Sequence, residues 1–220
     1  MASDSTHAAD LAGRPPCETS DGGDDNGGGL RFVVVYGSVR PKRQGIRAAR
    51  FLVRQLETRG HHVDLIDPVE VDLPLLTRTY SEYAEGEAPE PLERLAETYR
   101  AADGFLFVAG EYNHGLPPAL KNLIDHFLHE YFWRPAGIVT YSAGSFGGAR
   151  AGVHLRAVLG EVGLVTIPSM LPVPKVSAVF EMDGTVKDEA YEKRTTRFLG
   201  ELCWYARALH AARVDGVPYA

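Results

Sequence analysis

The sequence predicts an α/β protein, a three-layer sandwich with a five-stranded parallel sheet and helices on both faces. Three observations carry this. Short, β-branched apolar runs alternate along the chain with stretches of helical period. The run Gly104 to Ala109 (GFLFVA) shows no polar alternation, as expected of a strand covered on both faces. The strand-then-helix order recurs five times, the pattern of parallel strands joined by crossover helices.

Residues 1–29 stand outside that rhythm. They hold Asp4, Asp10, Glu18, Asp21, Asp24 and Asp25 against Arg14 alone, and six of the 23 glycines. Of the formal net charge of −6, −5 belongs to this stretch and −1 to the rest. So little apolar surface cannot offset the entropy of ordering a chain, so 1–29 reads as a disordered, acidic, glycine-rich tail, a solvated extension, and 30–220 as one domain. The tail has no basic n-region and no apolar h-region, which argues against a secretory signal. With only Cys17 and Cys203 in the chain, a disulfide-framework fold is excluded and a cytoplasmic location is expected.

The body then runs in order. Leu30 to Tyr36 (LRFVVVY) is the first strand. Ile46, Ala49, Val53 and Leu56 share a helix face that Gly60 closes. Val63 to Ile66 is a second strand, and a loop with four prolines runs from Asp67 to about Pro91. Leu92, Leu95, Ala96 and Tyr99 mark a helix before the third strand, Gly104 to Ala109. Leu120, Leu123, Ile124, Phe127, Leu128 and Tyr131 predict one long amphipathic helix, with Pro117 and Pro118 in its first turn. Ala136 to Tyr141 is a fourth strand, Ala151 to Val162 a helix, and Leu164 to Ile167 a short fifth strand. A last helix covers Asp188 to about Arg213.

Composition excludes several functions. The longest apolar runs are strand-length, short of the ~18–20 residues of a membrane helix. The net charge of −6 argues against a nucleic-acid partner bound through bulk charge. The histidines His61, His62, His126, His129 and His154 read as surface residues, with His126 and His129 on the polar face of a helix, and no metal site is expected. His114 stands beside a candidate ligand loop. Cys203 reads as packing in the last helix.

In sheets of this kind a ligand lies beyond the carboxyl ends of the strands, where the strand order reverses. The loops after strands one, three and four are therefore the ones to inspect. Gly37 to Gly45 (GSVRPKRQG) lacks both G-x-G-x-x-G and a Walker lysine, yet joins a tight turn, the Ser38 hydroxyl, the cations Arg40, Lys42 and Arg43, and a helix N-terminus. It suits a single phosphate monoester, the alternative being a basic surface loop. Gly110 to Asn122 (GEYNHGLPPALKN) brings Tyr112 to support a planar ring and Asn113 to bond its heteroatoms, with Lys121 and Asn122 placed to anchor the loop. Ser142 to Arg150 (SAGSFGGAR) has three glycines that let backbone approach a ligand closely. Together they describe a mononucleotide with a flat polar ring, the layout of FMN in a flavodoxin-like sheet.

These motifs resemble those of the NAD(P)H-dependent FMN reductases of flavodoxin-like fold, a family that includes quinone, chromate and azo-dye reductases. The stretches that carry the resemblance are GSVRPKRQG at 37–45, EYNHGLPPALKNLID at 111–125 and SAGSFGGARA at 142–151. By that resemblance Ser38, Arg40, Arg43, Gln44 and Gly45 hold the FMN phosphate. Glu111, Tyr112 and Asn113 line the ring, with Ser142, Gly144 and Gly147. The chain departs from the family at Gly110, where proline is usual, and at Arg43-Gln44, where serine or threonine is common. The resemblance further implies an oxidoreductase passing hydride from NADPH or NADH through FMN to a small-molecule acceptor: a quinone, azo compound, chromate or free flavin. It also implies a homodimer or homotetramer. No residue in the triad sense of catalysis is expected, because the flavin carries the redox chemistry. Rival readings are an FMN-binding electron carrier, a flavin-supplying partner of a monooxygenase, and a non-enzymatic signalling module that keeps only the fold.

Overall fold

A computed structural model describes residues 29–219, and the expected disorder of the tail lies outside the described residues for positions 1–28. Five parallel strands form one sheet in the order β2-β1-β3-β4-β5. They are β1 (Arg31–Tyr36), β2 (His62–Ile66), β3 (Gly104–Gly110), β4 (Pro135–Tyr141) and β5 (Val165–Val173). The helices are α1 (Ile46–Glu57), α2 (Pro68–Val71), α3 (Glu90–Ala101), α4 (Pro118–Asp125), α5 (Ala149–Glu161), α6 (Val176–Val179) and α7 (Ala190–Val214).

Two apolar cores follow from the period-two alternation of β1. Phe32, Val34 and Tyr36 turn to one face and pack with α1 and α7, whereas Val33 and Val35 turn to the other and pack with α3, α4 and α5. The registers Phe32↔Gly104 and Phe105↔Ala136 align β1, β3 and β4 across the middle of the sheet, so the loops that follow them emerge along one edge. Every residue of β3 is buried, as its unbroken apolar run requires.

Four expectations are corrected. The helix drawn through Tyr131 stops at Asp125, and a 3-10 turn, His129–Tyr131, follows. Phe127 and Tyr131 still reach the core, which explains the misleading period, but Leu128 is 40% exposed. His126 therefore leaves the polar helix face: it is 2% exposed, with Nδ1 2.7 Å from the Asn122 carbonyl. His61 is also buried, packed edge-on against Phe32, 3.6 Å from the Sγ of the buried Cys203. The loop after β2 contains α2, because the Asp67 side chain caps the Val69 N–H and Pro68 suits the first helical position. Finally, β5 runs nine residues to Val173, past Pro168 and Pro172. These prolines are tolerated because β5 is an edge strand, and its register shifts opposite Ala136/Ile138.

Candidate functional site

The loop after β1 starts where Gly37 N–H donates to Val108 O (3.1 Å) and ends at Gly45, the N-cap of α1. No side chain caps α1, and although the Arg47 N–H donates to Gln44 O (3.3 Å), the positive end of the helix dipole faces the loop. Ser38 is 2% exposed, its hydroxyl 3.0 Å from the Tyr112 hydroxyl. Arg43 is occupied: it donates to Ser38 O (3.2 Å), pairs with Asp67 and lies over the Tyr36 ring. Gln44 turns along the loop, donating to Lys42 O (3.1 Å) and accepting from Arg47 Nε (2.9 Å). Arg40 and Lys42 are exposed, and no bond of the Arg40 side chain occurs among the described residues. With one cation neutralised by Asp67, the loop keeps two, beside uncapped helix N–H groups. That donor set fits a phosphate monoester.

Gly45 is fixed by space and not by its backbone angles. A Cβ there would stand 2.1 Å from the ring of Tyr141, the last residue of β4. The Tyr141 hydroxyl is 3.3 Å from that of Tyr36. Burial raises the pKa of both phenols, so both stay protonated at any working pH.

The loop after β3 is a two-residue turn. Tyr112 and Gly115 exchange backbone hydrogen bonds (3.1 and 2.9 Å), and Asn113 (φ 50°) and His114 (φ 69°) between them are left-handed. Such angles are uncommon for side-chain-bearing residues, and the turn presents both side chains to solvent. Glu111 points back at α5. Its Oε1 meets Arg150 Nη1 at 2.6 Å and its Oε2 accepts the Arg150 N–H at 3.2 Å. Burial works against the charged carboxylate, but the bonds from Arg150 and from the first backbone N–H groups of α5 outweigh it and hold its pKa below the usual range.

In the loop after β4, Ser142 Oγ donates to Gly144 O (2.8 Å) and accepts the Gly147 N–H (2.9 Å). Gly147 and Gly148 take positive φ, which lets the chain turn sharply into α5. The tip is open: a Cβ on Gly144 would meet nothing, and Phe146 is 71% exposed beneath the Arg150 guanidinium.

The structure thus brings the predicted residues to one edge and ties them together, Ser38 to Tyr112 and Glu111 to Arg150. Asn122 does not anchor its own loop: it holds the 74–76 segment through Leu76 N (2.9 Å) and Pro74 O (2.8 Å). Sequence reasoning missed Asp67, Tyr36 and Tyr141. Asp67 follows the carboxyl end of β2, a strand end that deserved the same inspection as the other three.

A family model described as NADPH-dependent FMN reductase matches residues 30–178. An NAD(P)H-dependent FMN reductase of Pseudomonas aeruginosa is 35% identical over 189 residues, covering 82% of this chain and 97% of that protein. A quinone reductase of Escherichia coli is 34% identical over 134 residues, 59% of this chain and 69% of that protein. The solved flavoenzyme NAD(P)H:(acceptor) oxidoreductase FerB of Paracoccus denitrificans superposes with a TM-score of 0.66 at 24% identity, covering 81% of this chain and 98% of that one.

Proposed function

The chain belongs to the NADPH-dependent FMN reductase family, and from that premise we propose how its residues serve an NAD(P)H-dependent, FMN-containing oxidoreductase. The observation that carries the proposal is the N-terminus of α1, without a side-chain cap, behind Ser38 and beside the exposed Arg40, whose side chain has no bond among the described residues. In this reading Ser38, Arg40 and the backbone of Arg43, Gln44 and Gly45 hold the FMN phosphate. Tyr112 and Asn113 support the ring from one side, and the backbone from Ser142 through Gly144 to Gly147 borders it from the other. Glu111 acts at one remove, fixing the 111–115 turn to α5 through Arg150. FMN held by these residues would supply the redox chemistry, taking up hydride from NAD(P)H and delivering electrons to the acceptor. The acceptor class we propose is a small planar compound, a quinone first, because the exposed Phe146 and the open Gly144 tip border the cleft with apolar, unobstructed surface. We further propose that 30–220 forms one flavodoxin-like FMN-binding reductase domain, that it acts in the cytoplasm, and that it works as a homodimer.

The direct experiment starts from purified full chain and from a chain beginning at residue 30. Both are expected to be yellow, to release FMN and not FAD on denaturation, and to run as dimers by light scattering. Arg40→Ala is expected to weaken FMN binding roughly 10–100-fold, the range for losing a hydrogen bond to a charged group. Unchanged affinity would move the phosphate elsewhere.

A second expectation concerns kinetics. In this reading the loops at 111–115 and 142–148 between them would leave one face of the bound ring open, so donor and acceptor would use that face in turn. Initial rates with a quinone are expected to give parallel double-reciprocal lines. Intersecting lines with a demonstrated ternary complex would refute the shared face and leave the FMN site standing.

A further inference from the structure

We propose that the cavity at the opposite, amino-terminal edge of the sheet is a binding site for a small oxyanion of the phosphate class. This cavity, of about 230 Å³, lies where the C-terminal ends of α3 and α7 meet the starts of β3 and β4. Arg100, Asp103, Arg134, His210 and Arg213 line it.

The charges around it do not balance. Asp103 and Glu130 supply the carboxylates, and Arg100, Arg134 and Arg213 the guanidiniums. Asp103 is already shared: its Oδ1 lies 2.6 Å from His210 Nδ1 and 3.0 Å from Arg213 Nη2, and its Oδ2 accepts the Arg31 N–H at 2.9 Å. Glu130 faces Arg100 at 3.5 Å. Arg134 pairs with neither. Its Nε donates to Ala102 O (2.7 Å), its Nη1 to Phe132 O (2.8 Å), and its Nη2 to Arg100 O. Carbonyls at a helix C-terminus welcome a cation, but they bring dipoles and no counter-charge. Burial, and then the neighbouring Arg213, lower the Arg134 pKa to about 10, which still leaves both guanidiniums charged at neutral pH.

Donors remain for a ligand. A guanidinium has five N–H groups. Contacts among the described residues engage three on Arg134 and two on Arg213, whose Nη1 donates to Trp133 O (3.0 Å). Both side chains line the cavity, so their remaining N–H groups are the donors an oxyanion there would use. Pockets for drug-sized ligands run to roughly 300–1,000 Å³, and this smaller space is in keeping with a ligand the size of a phosphate group.

The test titrates inorganic phosphate into flavin-loaded protein by calorimetry, so that FMN already fills the loop after β1, with sodium chloride at matched ionic strength as the control. One saturable site per chain is expected for phosphate and none for chloride. Arg213→Gln is expected to abolish binding. Arg100→Gln, at a half-exposed side chain, is expected to weaken it about 5–10-fold. Both variants should keep their flavin absorbance. No saturable heat in the native protein, or an affinity unchanged by Arg100→Gln, would overturn the proposal. If Arg213→Gln fails to fold, Arg100→Gln alone decides.

Discussion

Gly45→Ala is expected to cost about 1–3 kcal/mol of stability, the usual range for overpacking, and to strip the protein of FMN. The added methyl would stand 2.1 Å from the Tyr141 ring. That ring has little room to retreat, because it already packs against Gly110, where an added Cβ would stand 3.1 Å from it. Relief must therefore come from the N-terminus of α1 moving away from β4, which opens the phosphate loop. Thermal unfolding should show the midpoint lowered by roughly 2–12 °C, given about 2–4 °C per kcal/mol for a chain of this size. The cause is separable from helix propensity, since alanine is the better helix former. In a Tyr141→Ala background the same substitution should cost little, and equal losses in both backgrounds would exclude the clash.

Glu111→Gln is expected to cost about 1.5–3 kcal/mol at neutral pH, the range for hydrogen bonds to a charged group. The carboxylate side chain is 12% exposed and takes bonds from the Arg150 guanidinium and backbone. Its folded pKa is depressed, so the stability it contributes is complete above the ordinary carboxylate pKa and is lost as pH falls through the lower, folded value. Unfolding midpoints of native protein and variant should therefore differ most near pH 7 and converge in acid. A gap that stayed constant down to pH 3 would assign the loss to packing. The variant should also bind FMN more weakly, because the 111–115 turn loses its tie to α5.

Element identity was legible in the sequence wherever one physical signal dominated. The β-branched runs of β1, β3 and β4 and the long periods of α1 and α7 sit within a residue or two of their expected bounds. The errors fall where two signals competed. Phe127 and Tyr131 keep a helical spacing while serving the core from a 3-10 turn. The fifth strand was expected to end at Ile167 but runs on through Pro168 and Pro172, which an edge position allows and nothing local reports. The three site loops were legible because glycines, cations and a tyrosine recur after consecutive strand ends. Their wiring was not. That Arg43 is held by Asp67, and that Glu111 serves α5, depends on partners 24 and 39 residues away, a distance no local pattern reports.

The same separation bears on how the protein survives in a cell. Gly37, Glu111 and Ser142 reach one edge only after β1, β3 and β4 have paired, so no fragment of the unfolded chain carries the pocket. A ligand that recognises the native state alone shifts the folding equilibrium by RT ln(1 + [L]/Kd), about 2.7 kcal/mol at a free concentration one hundred times Kd. Flavin supply is thus a determinant of the lifetime of the polypeptide: in flavin-starved cells more of it visits the open chain that proteases cut, and abundance falls without any change in synthesis.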